Sequence, residues 1–512
     1  MEKRLTGLVI MDGFGEPKDF SRSGIVKDNT KFLQTLRDKY PSALLDASGE
    51  AIGLPKGQSG TSEVGHKVIG SGRKIVQPIT KIDNEIANGK FFENQVLLDA
   101  MNYAKENNKA LHLLGIATDG GIHSHINHLF ALLDMAKKEN VEKVYLHLFT
   151  DGRDVPPKSA ISYLHQVEEY MSHSCGKIAT LVGRYYALDR DDNWDRIEVA
   201  YNAMLKSEGD LSEDIEKSIE KQYNEGVTDE FLKPIIVAEN GQPVAKIEKG
   251  DSVIIYNFRA DRERRLAEVL SSHSKIEYAE KLDLHLVCMC EYQENMQGVS
   301  IAYPPEVYEN ILSEVLSNRG YKQFKCAETE KYMYITYVFN ANKETPYSEE
   351  QRTLIASPKM PTYVSKPEMS AREVTEKSIK FLQENEVDVF IINLANPDMV
   401  GHSGDIEATK QAIAVVDECV EKLVNYTLGV NGRVIITADH GNADIMKYED
   451  GSPHTAHTSA QVPFIVVDDN LIGREIKTGG TIADVAPTLL TLLGEEIPEE
   501  MTGENLLKWF YY

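Results

Sequence analysis

The chain has five cysteines in 512 residues, Cys175, Cys288, Cys290, Cys326 and Cys419. An odd, sparse set without a Cys-x-x-Cys pair excludes a disulfide framework and a cysteine zinc site, so a reducing, cytoplasmic setting is expected. Long apolar runs are missing as well: none approaches the ~18 residues of a membrane span, and the run near the start stops at Asp12 without a signal-cleavage pattern. Positive charge is scarce, with 55 Lys and Arg against 80 Asp and Glu, a formal net charge of −25. That balance argues against coating a nucleic acid, which needs an excess of Lys and Arg. Any anionic substrate must therefore meet a local basic patch, and the remaining acidity serves solubility. Internal repeats and low-complexity segments are absent too.

What is there is an ordinary globular composition, 42% hydrophobic and 26% charged, long enough for two or three domains at ~100–200 residues each. The most telling stretch is Gly432-Arg-Val-Ile-Ile-Thr-Ala-Asp-His-Gly-Asn442. Val434, Ile435 and Ile436 read as a buried strand, which delivers Asp439 and His440 into a loop punctuated by glycine. A carboxylate beside an imidazole suits zinc or manganese, but it is an incomplete site and needs further ligands. Gly7–Met11 ends the same way, in Asp12-Gly13-Phe14-Gly15. A helix is expected over Lys31–Lys39. The glycine-rich passage Gly53–His66 predicts a tight loop running into a short helix, with backbone N–H groups aimed at an anion. Ser59, Thr61 and Ser62 are its possible nucleophiles, and spacing does not choose among them.

Between about 77 and 310 four apolar runs, Leu111–Ala117, Val144–Phe149, Ile178–Val182 and Ser252–Tyr256, each end in His, Asp or Arg. Repetition of this kind predicts a parallel sheet with a site at its carboxyl edge and crossover helices between strands. Arg153, Arg184, Arg190, Arg259 and Arg262 at these ends would form a cradle for phosphate or carboxylate, a task that suits planar guanidinium better than lysine. Gly70–Pro78 and Asn295–Pro305 read as linkers, making 77–310 an insertion into a discontinuous domain of 1–76 and 311–512. Two hinge-like linkers also suggest closure around substrate. The Glu-rich stretch 212–230 reads as a solvated helix face.

In the last block a helix is expected over 310–318. Lys331 sits among aromatics, where packing of its stem is the simplest reading. Val387–Leu394 is a strand followed by Ala395-Asn-Pro-Asp-Met-Val-Gly-His402. If a helical turn begins after Pro397, Asp398 and His402 face one side and can share a cation. His454 and His457 precede the strand Pro463–Val467, and spacing leaves open which of them joins the ligands. Ala483–Gly494 reads as a packed helix and Trp509–Tyr512 as a terminal cap. Asp12, Asp398, His402, Asp439, His440 and one of those histidines, with a serine oxygen, are enough for two divalent ions, which can activate the serine for phosphoryl transfer.

The passages MDGFG at 11–15, GQSGTSEVGH at 57–66, DGGIHSHINHL at 119–129, TDGRD at 150–154, GRYYALDRD at 183–191, NFRADR at 257–262, AETEKY at 327–332, NLANPDMVGH at 393–402, TADHGN at 437–442 and TAHT at 455–458 resemble, in order and along essentially the whole chain, the cofactor-independent phosphoglycerate mutases of the alkaline phosphatase superfamily. The resemblance implies an α/β fold of two domains, a discontinuous alkaline-phosphatase-like α/β/α domain carrying an inserted α/β domain. It implies an isomerase of glycolysis and gluconeogenesis that interconverts 3-phosphoglycerate and 2-phosphoglycerate through a phosphoserine at Ser62, without bisphosphoglycerate. Carried over by position, Asp398, His402 and His457 match one metal site, and Asp12, Ser62, Asp439 and His440 the other. His123, Arg153, Asp154, Arg184, Arg190, Arg259, Arg262 and Lys331 match substrate contacts, with Asp154 as general base and Lys331 offsetting charge on the transferred group. Two divalent ions are implied; the donor types suit manganese best, with magnesium, cobalt or zinc as alternatives. A small-molecule substrate, a monomer, and neither nucleic acid nor membrane complete the expectation. The chain departs from the family at Ser59 and Thr61, at Tyr334 where histidine is frequent, and at Ala341-Asn342 where a glycine pair is usual. The rival readings are a metal-dependent phosphatase or phosphopentomutase on the same core, and a non-catalytic anion-binding protein.

Overall fold

The computed structural model describes residues 3–508, so the expected Trp509–Tyr512 cap lies outside the described residues. The chain divides into two compact units. One runs up to Val76 and resumes at Val307, and the other is Gln77–Glu306.

The first unit is built on an eight-stranded sheet in the order Glu350–Ile355, Gln323–Glu328, Val389–Leu394, Thr6–Met11, Arg433–Thr437, Val462–Val467, Ser42–Asp46, Gly480–Thr481. The first five strands are parallel, and Val462–Val467 runs antiparallel to both its neighbours. The central strands are buried at every position, which is why they read as continuous apolar runs instead of alternating ones. Two sets of helices pack separately: Lys31–Lys39 and Ala371–Glu384 against the long Ile406–Gly429, and Leu312–Asn318 and Val485–Leu493 against Ser62–Ser71. The register leaves the carboxyl ends of four adjacent strands side by side. From that edge emerge Lys331, Asp398, Asp12 and the Asp439-His440 pair.

The second unit has strands in the order Ser300–Tyr303, His285–Cys290, Ser252–Ile255, Leu111–Ile116, Val144–Thr150, Lys177–Gly183, Ile235–Glu239, Asp210–Ser212, with Gln242–Pro243 hairpinned onto Ile235–Glu239. The four strands expected from their apolar runs lie adjacent and parallel, and Ile235–Glu239 reverses direction against Lys177–Gly183.

Three expectations need correction. Ser300–Tyr303, read as part of a linker, is an edge strand paired with His285–Cys290. Gly70 and Ser71, read as linker, close the helix Ser62–Ser71, which stops at Gly72 in the left-handed region. The Glu-rich 212–230 stretch is not simply solvated: helix Ile215–Asn224 buries Ile215 and Ile219, and Asp229 is fully buried, accepting the N–H groups of Ser159 and Ala160. Those donors from a neighbouring helix start, together with the Tyr223 hydroxyl, compensate its burial, and sequence pattern does not reveal them. Among the described residues no helix is long and apolar enough to cross a membrane.

Candidate active site

In the first unit Ser62 is the first residue of its helix, whose N-cap, Thr61, accepts the Val64 N–H. This places the Ser62 hydroxyl at the positive end of the helix dipole. Ser62 Oγ lies 2.6 Å from Lys331 Nζ, 3.1 Å from His440 Nε2 and 3.3 Å from Asp12 Oδ1. Ser59 and Thr61 are directed elsewhere, onto the His457 carbonyl and the helix start respectively.

Lys331 does more than pack its stem. It is 3% exposed, and its ammonium lies 2.7 Å from Asp12 Oδ1 and 2.6 Å from Asp398 Oδ2. Burial alone would lower its pKa, but the carboxylates of Asp12, Asp398 and Asp439 outweigh that and hold it well above the ordinary lysine value. The preceding helix loosens into a π-type turn over Tyr334–Val338, and the Tyr334 ring lies 5.2 Å from the ammonium. Tyr334, the departure from the family pattern, thus borders this lysine.

Asp398 lies in the short helix Asn396–Gly401, and its Oδ1 is 3.2 Å from His402 Nε2 and 3.3 Å from His457 Nε2. Burial would raise this carboxyl, yet Lys331 and the imidazoles hold it well below the usual carboxylate range. Each of the three imidazoles turns Nδ1 to a backbone carbonyl: His402 to Thr455, His457 to Gly60, His440 to Gly441. Anchored this way, a neutral histidine presents a bare Nε2 lone pair. The Nε2 atoms of His402 and His457 are 3.1 Å apart. Of the two histidines that spacing left open, His457 joins the cluster, and His454 packs against Tyr448 instead.

On the other side Asp439 Oδ1 accepts the N–H groups of Gly13 and His440. Its Oδ2 is buried without a hydrogen-bond donor. His66 Nδ1 is 3.1 Å away, but it donates to the Ser62 carbonyl at 2.8 Å. His440, pulled down by burial and up more strongly by Asp439, Asp12 and Asp398, has its pKa raised to about 9. Two glycines permit these approaches. A Cβ at Gly65 would fall 2.5 Å from the Asp439 carbonyl, and one at Gly13, whose φ is +73°, would fall 2.7 Å from Asp398 Cβ.

This donor set fits divalent cations. Two imidazole lone pairs facing each other beside a carboxylate, and an orphaned buried carboxylate oxygen, are both unfavourable without a cation and favourable with one. Asp398, His440 and His457 lie close enough together to hold one ion; Asp12 and Asp439 form a second group beside His66, whose Nδ1 is turned to the Ser62 carbonyl and whose Nε2 faces the Asn393 amide. His66 was missed by sequence reading, although its place four residues after Ser62, on the same helix face, was a usable signal. Asn393, donating to Asp12 Oδ2 at 2.8 Å, and Asn442, donating to Asp398 Oδ1 at 2.8 Å, were also missed.

In the second unit the strand-end residues form a cationic cluster. Arg184, buried, donates to Asp151 at 2.7 Å and to Asp154 at 2.5 Å. Burial would lower its pKa, and these two carboxylates raise it instead. Arg262 goes the other way: burial first, and then the nearby positive charges of Arg153, Arg184 and Arg190, lower its pKa. Arg153 pairs with Glu230, Arg259 with Asp261, and Arg190 has no ion pair among the described residues. His123 is buried with Nδ1 3.1 Å from Glu263 Oε1. Most of these guanidinium groups have a carboxylate beside them, and Arg190 is one that does not among the described residues.

Residues 82–294 match the family described as BPG-independent PGAM N-terminus, and residues 265–478 match Type I phosphodiesterase / nucleotide pyrophosphatase. The 2,3-bisphosphoglycerate-independent phosphoglycerate mutase of Clostridium perfringens strain SM101 is 48% identical over 510 residues, covering 99% of this chain and 100% of that one. That of Clostridium tetani is 46% identical over 511 residues, covering 99% and 100%. Among solved structures, Leishmania mexicana phosphoglycerate mutase at low cobalt concentration is similar with a TM-score of 0.64 and 28% identity, covering 98% of each chain. Near-complete coverage at this identity, joined to the strand-end geometry, means that the chain belongs to the 2,3-bisphosphoglycerate-independent phosphoglycerate mutases.

Proposed function

We propose that this chain interconverts 3-phosphoglycerate and 2-phosphoglycerate by passing the phosphoryl group through Ser62, as an isomerase of glycolysis and gluconeogenesis. The observation that carries this reading is the convergence of a helix-N-terminal serine, a buried lysine and two groups of cation-type ligands on one point. Asp398, His402 and His457 would hold one divalent ion, and Asp12, Ser62, Asp439 and His440 the other. Manganese suits this mixture of imidazole and carboxylate best, with magnesium, cobalt or zinc as alternatives. When bound, such ions acidify the serine hydroxyl and stabilise charge on the phosphoryl oxygens.

The chain's own groups do the rest. Ser62 Oγ bonds to phosphorus as the bond from phosphorus to the substrate's C3 oxygen breaks, and the proton that Ser62 gives up is balanced by the one that the departing C3 oxygen takes up to become a hydroxyl. Lys331, fixed in its charged form, neutralises the transferred oxygens. His123, Arg153, Arg184, Arg190, Arg259 and Arg262 retain the glycerate through its anionic groups. Asp154, oriented by Arg184, takes the proton of the C2 hydroxyl as that oxygen attacks the phosphoserine, and the serine oxygen leaves. Residues 1–76 and 311–512 thus supply phosphoryl transfer, and 77–310 the hold on the acid. One chain supplies every group of the first cluster, which supports a monomer, and four buried free cysteines support a reducing, cytoplasmic setting.

Incubating the protein with 3-phosphoglycerate and manganese, without bisphosphoglycerate, and following phosphorus NMR should show 2-phosphoglycerate. Release of free phosphate as the main product would replace this reading with a phosphatase.

A further inference from the structure

Glu263 is a carboxylate with no place in the reaction above, yet it is fully buried in the second unit, on helix Ala260–Leu270. A buried carboxylate is costly unless its oxygens are saturated with donors, and here they are. Oε1 accepts from His123 Nδ1 at 3.1 Å and from Asn257 Nδ2 at 2.9 Å, and Oε2 accepts the Arg262 N–H at 3.2 Å. Asn257 in turn accepts the Ile116 N–H through Oδ1 at 3.0 Å, tying the network to the end of strand Leu111–Ile116. The backbone of His123 is fixed as well, its carbonyl accepting the Phe258 N–H at 2.8 Å.

We propose that Glu263 is a positioning residue for His123: it holds the Nδ1 proton and so turns Nε2 toward the substrate, where a proton taken up with the anion lets the Nε2–H donate to a phosphate or carboxylate oxygen. A carboxylate that already receives an amide and a backbone N–H can only accept from the imidazole, so the shared proton belongs on Nδ1. Free neutral imidazole favours the opposite tautomer, and a partner of this kind is how a protein reverses that preference. His123, Asp261 and Glu263 also lie close enough together to hold a cation. The 3.1 Å hydrogen bond and the Arg259 partner of Asp261 at 3.1 Å assign both carboxylates to other work. The inference rests on the reading of His123 as a substrate contact.

The test is the side-chain nitrogen-15 spectrum of the intact protein, with the His123 signals identified by their loss in His123→Asn. The expected spectrum shows His123 carrying a proton on Nδ1. It is retained in Glu263→Gln, which keeps an acceptor, and lost in Glu263→Leu. KM for 3-phosphoglycerate rises roughly tenfold in Glu263→Leu, in line with the loss of a partner that orients an imidazole, with kcat changing less, and Glu263→Gln recovers most of it. A wild-type spectrum with bare Nδ1 and a proton on Nε2 alone would overturn the proposal whether or not any variant folds. Altered kinetics in His123→Asn but an unchanged spectrum and KM in Glu263→Leu would also overturn it. Wild-type kinetics in His123→Asn would remove the substrate-contact reading instead, while the spectrum still reports on the hydrogen bond itself.

Discussion

His402 Nε2 lies 3.1 Å from His457 Nε2, with both nitrogens beside Asp398 Oδ1 and both Nδ1 atoms turned to backbone carbonyls. When both rings are neutral the two lone pairs repel, and a cation between carboxylate and imidazoles would remove that repulsion. Manganese should therefore raise the melting temperature of the metal-stripped protein. At about 100 times its dissociation constant a ligand contributes about 2.7 kcal/mol, a shift of about 5 °C or more for a unit of this size. Scanning calorimetry with and without manganese checks this, and His457→Ala should shrink the shift.

Lys331 neutralises Asp12 and Asp398 in the absence of any other cation. Lys331→Met should cost about 3–5 kcal/mol in the metal-stripped protein, since it leaves buried carboxylates unpaired. The loss should be smaller with manganese present. Urea melts of both forms measure the difference.

Gly65 lets its helix approach the Asp439 loop to a distance that a Cβ would occupy. Gly65→Ala should displace Asp439 and weaken metal binding by at least tenfold while the far sheet edge stays folded. Titration calorimetry against manganese reads the affinity and circular dichroism the fold.

Glu328, buried at the end of strand Gln323–Glu328, has its pKa raised from 4.5 to about 7, chiefly by burial. The folded state binds this proton more tightly than the unfolded state does, so the contribution is present below the unfolded value and is lost as pH rises through the folded one. Between pH 4.5 and about 7 that loss should amount to about 2–3 kcal/mol. Glu328→Gln, which can still meet Ser357 and Ser370, should flatten stability over this window and raise the melting temperature at pH 8.

The central strands were legible because they are buried at every position, so that each leaves an uninterrupted apolar run with a polar residue after it. The Asp12, Asp398 and Asp439-His440 positions could be read as strand ends for that reason alone. What pattern could not show was burial compensated from far along the chain. Lys331 looks like a packed stem until Asp12 and Asp398 arrive beside it, and Glu263 looks like a solvated helical charge until the His123 loop covers it. Asp229 was hidden in the same way. Ser300–Tyr303 is short, beside prolines and at a sheet edge, so it carries the marks of a linker. The choice of His457 over His454 depends on which ring turns inward, which spacing does not display, although the family resemblance already picked His457.

In the proposed reaction Ser62 carries the phosphoryl group. Quenching the manganese-loaded protein in acid during turnover of 3-phosphoglycerate, then mapping peptides by mass spectrometry, should find one phosphorylated residue, Ser62, with no phosphate in Ser62→Ala and no isomer formed by it. Phosphate on another residue, or isomerisation by Ser62→Ala at the normal rate, would contradict it.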